Sequence, residues 1–123
     1  MTEKVILSLF SNNAKELADF YSEVLGGKIV RLFEDNSQET YLYEFERSFA
    51  IQFIQSNSHN YKVQLKFQVV SLKRIEEKLT ELGIDIKWLN SKKNCLSILD
   101  PVGNVLYIEE YNRLKYVGMP IGG

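Results

Sequence analysis

A single histidine, His59, and a single cysteine, Cys95, are the whole supply of imidazole and thiol in this chain. Those two groups carry most nucleophilic, proton-transfer and transition-metal chemistry at neutral pH. His59 stands inside Ser56-Asn57-Ser58-His59-Asn60, the most polar stretch of the sequence, where an imidazole is simply solvated. Cys95, between Asn94 and Leu96, has no electropositive neighbour to activate a thiolate and reads as a small strand residue. The other concentration of chemistry is Asp100-Pro101-Val102-Gly103-Asn104, followed by Val105-Leu106-Tyr107-Ile108 and the carboxylates Glu109 and Glu110. Asp100 can hydrogen-bond back onto the backbone, Pro101 fixes φ, and Gly103-Asn104 tolerate positive φ. The segment is therefore a turn that feeds a strand.

Composition narrows the partners. The 15 basic and 16 acidic residues are interspersed and leave a net charge of −1, which gives no basic stripe for nucleic acid or an anionic membrane. A chain of 123 residues with 45% hydrophobic and 25% charged content is ordinary for one soluble globular domain. No apolar run reaches bilayer length, and Met1-Thr2-Glu3-Lys4 does not begin a signal peptide. One cysteine excludes an intrachain disulfide and fits a reducing compartment, so a cytoplasmic location is expected.

The elements that position these groups form a pattern that occurs twice. Residues 5–10 read as a buried strand, and Asn12 or Asn13 is placed to cap a helix carrying Leu17, Phe20, Tyr21, Val24 and Leu25 at helical spacing. Gly26-Gly27 ends that helix, and strand-like runs follow at 28–33, 39–45 and 49–54. Loops at 34–37 and 46–48 separate them. After the polar stretch the order repeats: a strand at 63–69, Ser71 as a cap, a stripe of Leu72, Ile75, Leu79 and Leu82, then Gly83. Strands at 84–89, 95–99 and 104–109 complete it. A shift of about 58 residues lays Val5 on Val63, Leu9 on Phe67, Asn13 on Ser71 and Leu17 on Ile75. The expected fold is α+β, two tandem βαβββ modules within one domain spanning 1–123. Module one runs over about 4–55, a polar linker over 56–61, module two over about 62–110 and a tail over 111–123.

With Ala18-Asp19-Phe20-Tyr21-Ser22-Glu23-Val24-Leu25-Gly26 ending the first helix and Asp100-Pro101-x-Gly103-Asn104 before the last strand, the repeat resembles the vicinal oxygen chelate superfamily. That group holds glyoxalase I, bleomycin-resistance proteins and extradiol dioxygenases. The resemblance covers roughly residues 4–110 and implies half-barrel sheets with helices outside and a ligand cavity on the concave face. Alternation then sends Leu7, Leu9, Phe49, Ile51, Phe53, Leu65, Phe67, Val69, Leu106 and Ile108 to the core. Ile6, Ser8, Phe10, Ala50, Gln52, Ile54, Gln64, Lys66, Gln68, Val105, Tyr107 and Glu109 point into the cavity. Tyr41, Tyr43, Phe45 and Trp88 extend the walls if their strand parity allows.

Metal-using members place a His, Gln or Glu on each of four inward positions, which fall here on Ile6, Gln52, Gln64 and Tyr107. Ile6 has no donor atom, and the glutamines offer only neutral amide oxygens. Tyr107 stands where the family carries a glutamate. A one- or two-residue shift would bring Glu109 or Glu110 near, but one carboxylate does not hold a divalent ion tightly. No metal or other cofactor is therefore expected. The inward set that remains, with Ser8, Phe10, Gln52, Gln64, Lys66, Tyr107 and Glu109 as ligand contacts, mixes apolar walls with orienting polar groups, as small-molecule sites do. The leading expectation is a metal-independent binder of an unidentified small molecule, of the glyoxalase/bleomycin-resistance type. The family and the apolar tail residues Tyr116, Val117, Met119 and Ile121 suggest a homodimer. Two alternatives stay open: a metal-dependent lyase, isomerase or dioxygenase, and a structural or interaction module whose half-barrels are filled by side chains.

Overall fold

The computed structural model describes residues 4–33, 39–57 and 61–111. His59, the loop at 34–37 and the tail beyond Tyr111 lie outside the described residues. The elements are β1 (Val5–Ser11), α1 (Ala14–Leu25), β2 (Lys28–Phe33), β3 (Glu39–Glu46) and β4 (Phe49–Gln55). Then come β5 (Gln64–Val69), α2 (Leu72–Glu81), β6 (Lys87–Trp88), β7 (Cys95–Leu99) and β8 (Val105–Glu110). One sheet has the order β1-β4-β3-β2 and the other β5-β8-β7-β6. The same permutation in each half turns the sequence repeat into hydrogen-bonded topology. The fold is α+β, two half-barrel βαβββ modules, and neither sheet closes on itself.

The chain divides into two compact units. One comprises the residues up to Gln64 together with Leu99–Val105; the other comprises Leu65–Ile98 and the residues from Leu106 onward. In the first, β1 runs parallel to β4, and β3 pairs antiparallel with both β4 and β2. Helix α1 covers one face of this sheet because its apolar residues recur every three or four positions. Its buried side chains Leu17, Ala18, Tyr21 and Val24 share a core with Leu9, Tyr41, Tyr43, Ile51 and Phe53. The Tyr21 ring lies 5.1 Å from that of Phe53 and 6.0 Å from that of Tyr43. Burial of each such ring contributes on the order of 2–3 kcal/mol.

The start of α1 differs from expectation. Asn13 is the N-cap, but its side chain makes no capping bond. The amide of Gln55, the last residue of β4, does that work: its Oε1 accepts from Ala14 N at 3.0 Å and its Nε2 donates to Asn12 O at 2.6 Å. The same substitution occurs at α2, where Ser71 makes no side-chain cap bond and Leu72 N donates instead to Glu110 Oε1 at 3.0 Å. Both helices thus receive their first amide bond from the last residue of the strand that follows three elements later. At the other end of α1, Gly26 N–H donates to Ser22 O at 2.9 Å, ending the helix as expected. Gly27, at φ +100°, then passes so close to β3 that a Cβ would stand 2.6 Å from Glu44 O. Only glycine fits there.

In the second unit Leu72, Ile75 and Leu79 form the buried stripe of α2, and Phe67, Leu96, Ile98, Leu106 and Ile108 are buried on the strands. Leu82 is not part of that stripe; it is the exposed C-cap. Gly83 N donates to Thr80 O and Ile84 N to Leu79 O, the paired closure of a helix by a left-handed glycine. That closure ties Ile84 to the helix end. The strand expected at 84–89 is accordingly reduced to Lys87–Trp88.

Candidate functional site

Residues that pair across neighbouring strands point to the same face, so the register decides which side chains meet. On the first sheet Ile6 pairs with Ala50, Ser8 with Gln52, and Phe10 with Ile54. Leu42 of β3 pairs with Gln52, and Val30 of β2 with Leu42. These residues make the face turned away from α1. Ile6 is 48% exposed, whereas Ala50, though on this face, is fully buried. Its single methyl lies between the longer side chains of its register partners, Ile6 and Glu44. Tyr41 and Tyr43 pair with Phe53 and Ile51, which puts both phenols on the core side and removes them as cavity walls. Tyr43 donates to Gly26 O at 2.6 Å, and burial raises its pKa well above the usual phenol range.

The polar groups near the centre of this face, Ser8 and Gln52, are uncharged, while Lys28 and Glu44 pair at one end of it. Ser8 Oγ approaches Gln52 Oε1 at 3.5 Å, a long and weak contact that leaves both groups able to bond a guest. At one end of the face Lys4 Nζ meets Glu44 Oε2 at 2.7 Å. The hydrogen bond from Lys4, and then its charge, hold the Glu44 carboxyl below the ordinary carboxylate range. Sequence reasoning did not find this ion pair, because placing Glu44 requires the parity of β3. That parity becomes readable only once Tyr41 is registered with Phe53.

On the second sheet β5 lies beside β8. Lys66 and Glu109, expected as separate ligand contacts, meet each other: Nζ and Oε2 are 2.7 Å apart, with the lysine side chain 58% and the glutamate 19% exposed. Glu110 points the other way and serves the start of α2. Tyr107 is half-buried, and Gln64 and Gln68 are exposed. Trp88 pairs with the buried Leu96, so its ring lies on the helix side, beneath the Lys93 ammonium at 5.6 Å. Cys95 is half-buried.

A cavity of about 490 Å³ opens in the first unit beside the β1–α1 junction, bounded by Phe10, Asn12, Tyr61, Lys62, Pro101 and Val102 among others. Of the candidate ligand contacts only Phe10 borders it. Its backbone N–H donates to the Tyr61 hydroxyl at 2.8 Å.

The side chains at the four positions that the resemblance assigns to metal ligands do not suit a metal. Ile6 is hydrocarbon, Gln52 and Gln64 are neutral amides, and Tyr107 is a phenol, a set that offers a divalent ion no anionic oxygen and no imidazole. Among the described residues no three His, Cys, Asp or Glu side chains come together.

The polar core of the first unit is built on Asp100. Its Oδ1 accepts from Val102 N at 3.0 Å and Asn104 N at 2.9 Å. Its Oδ2 accepts from Asn104 Nδ2 at 2.8 Å and from the Tyr21 hydroxyl at 2.7 Å. The two sequence marks of the fold, the tyrosine of the first helix and the aspartate of the last turn, are therefore bonded to each other.

The sequence matches no family profile and no curated protein. Solved structures are similar over nearly the whole chain. An antibiotic-binding protein, TnmS3, from a Streptomyces species superposes with a TM-score of 0.72 at 13% identity, covering 91% of this chain and 98% of that one. The trypanothione-dependent glyoxalase I of Leishmania major gives 0.71 at 12% identity, covering 96% and 93%. A glyoxylase/bleomycin resistance protein/dioxygenase domain from a Frankia species gives 0.70 at 16% identity, covering 92% and 94%. At such identities the likeness is one of architecture, and by it this chain has the vicinal oxygen chelate fold.

Proposed function

We propose that this protein is a metal-independent, small-molecule-binding member of the glyoxalase/bleomycin-resistance type, acting as a cytoplasmic homodimer. This reading is supported by the chemistry of Ile6, Gln52, Gln64 and Tyr107, which stand at the four positions that the resemblance assigns to metal ligands. The antibiotic-binding protein among the similar structures supports small-molecule binding as a use of this fold. Ser8, Phe10, Gln52, Gln64, Lys66, Tyr107 and Glu109 are the ligand contacts. They would orient a guest by amide, hydroxyl and aromatic contacts, since the centre of the first face around Ser8, Gln52 and Leu42 carries no charge. Among the described residues no cluster of three or more acidic side chains favours a cationic drug.

The test is made on the purified full-length protein. Native mass spectrometry after gentle desalting is expected to show a co-purified small organic molecule. Calorimetric titration with Zn²⁺, Ni²⁺ and Mn²⁺ is expected to give no stoichiometric binding. Micromolar or tighter metal binding would replace this reading with a metal-dependent enzyme. For any guest identified, Gln64→Leu and Tyr107→Phe are expected to weaken affinity about tenfold each, the loss of one orienting hydrogen bond. Unchanged affinity in both variants rejects the assigned contacts.

A further inference from the structure

The turn at Leu99–Val105 joins β7 to β8, two strands of the second sheet, yet it belongs to the first compact unit. Its polar groups are used there. Tyr21 of α1 donates to Asp100 Oδ2, Val63 N donates to Asn104 Oδ1 at 2.9 Å, and Val105 N donates to Val63 O at 3.1 Å. Asp100 and Asn104 are only 5% and 4% exposed, so water does not replace these partners.

From this arrangement we infer that Tyr21 and Asp100 form a latch through which α1 holds β8 in place. The Asp100 carboxylate organises the turn from inside: it fixes Val102 and Asn104 with one oxygen and receives Asn104 and Tyr21 on the other. Asn104 and Val105 in turn make the bonds to Val63 that immediately precede β5. A released turn loses those bonds first, and β8 then opens from its N-terminal end by local unfolding. The Tyr21 phenol brings into this set a bond from a helix, whereas the others come from the turn and its neighbouring strand. Hydrogen bonds to an ionised acceptor are stronger than neutral ones, which suits one contact to this task. The inference concerns the fold's internal coupling and does not depend on any ligand.

Hydrogen exchange read by mass spectrometry on the full-length chain tests it. Tyr21→Phe is expected to speed exchange about tenfold in peptides covering 99–105 and also in those covering 106–111. Ala18→Gly is the control: it weakens α1 at a buried position without touching the turn, and is expected to speed exchange in 14–25 while leaving 106–111 within about twofold of the parent. Asp100→Asn keeps the volume but presents an amide nitrogen where an acceptor is needed. It is expected to reproduce the Tyr21→Phe pattern, and it decides the matter if the phenylalanine variant does not fold. Exchange at 106–111 unchanged in both latch variants overturns the inference, as does an equal acceleration by Ala18→Gly.

Discussion

The hydroxyl of Tyr21 donates to Asp100 Oδ2 at 2.7 Å across 79 residues of sequence, and both side chains are buried. Burial first, and the adjacent Asp100 charge second, raise the Tyr21 pKa far above the ordinary phenol value of 10.0; burial alone raises that of Tyr43.

The pH dependence follows from the direction of those shifts. In the unfolded chain both phenols titrate near the ordinary value, and in the folded chain only well above it. Their contribution is thus fully present below about pH 10 and is lost as pH rises beyond it toward the folded values. The expected outcome is alkaline unfolding in which Tyr21 and Tyr43 ionise only as the fold is lost. Tyrosinate absorbance and circular dichroism recorded together check this. All seven tyrosines titrating as one exposed class in a folded protein would contradict it.

Helix α1 depends on a glutamine rather than on its own cap residue. Gln55→Ala is expected to cost about 1 kcal/mol, with a range of roughly 0.5–2, because it removes the acceptor for Ala14 N and the donor to Asn12 O. Asn13→Ala, at the nominal cap, is expected to stay within about 0.5 kcal/mol of the parent. Urea denaturation of the two variants side by side separates the roles. Equal losses would return the cap to Asn13.

The adjacent glycines at the end of α1 are expected to behave differently. Gly26→Ala meets open space and is strained only by its φ of +78°, a cost of about 1 kcal/mol. Gly27→Ala has the same backbone penalty and also drives a Cβ to 2.8 Å from Tyr43 Cε1 and closer still to Glu44 O. Its cost is expected to exceed that of Gly26→Ala by about 1–3 kcal/mol. Thermal midpoints of the two variants measure the difference.

At acid pH the Lys4–Glu44 pair is the place to look. Because the folded Glu44 titrates below the ordinary carboxylate value of 4.5, its contribution is present above that pH and is lost as pH falls through the folded value. Both partners are partly exposed, so the effect on stability is small and screened by salt. The clean readout is the carboxyl carbon of Glu44 by NMR. Lys4→Ala is expected to move its titration back toward the ordinary range.

The architecture was legible in the sequence because it rests on local and periodic signals. The first helix, its terminating glycines, the Asp100 turn and the alternation of Leu9, Ile51, Phe53, Phe67, Leu106 and Ile108 all need only a window of a few residues. What was not legible depends on pairing between distant segments. The caps came from Gln55 and Glu110, each about 40 residues from the helix it serves. Lys66 and Glu109 were visible as inward charges, but their 2.7 Å contact follows from β5 lying beside β8. Likewise β6 is shorter than the sequence pattern predicts, because Ile84, apolar like a strand residue, is part of a helix closure.

Under the proposed small-molecule role, that Lys66–Glu109 pair has a consequence for which guests the second sheet could accept. A charged guest reaching this face meets two opposite charges that already neutralise each other. To gain a partner it must first break one ion pair, and the gain and the loss are of similar size. A neutral guest disturbs nothing. If the second sheet takes part in the proposed binding, this pair would disfavour ions of either sign while leaving the face polar.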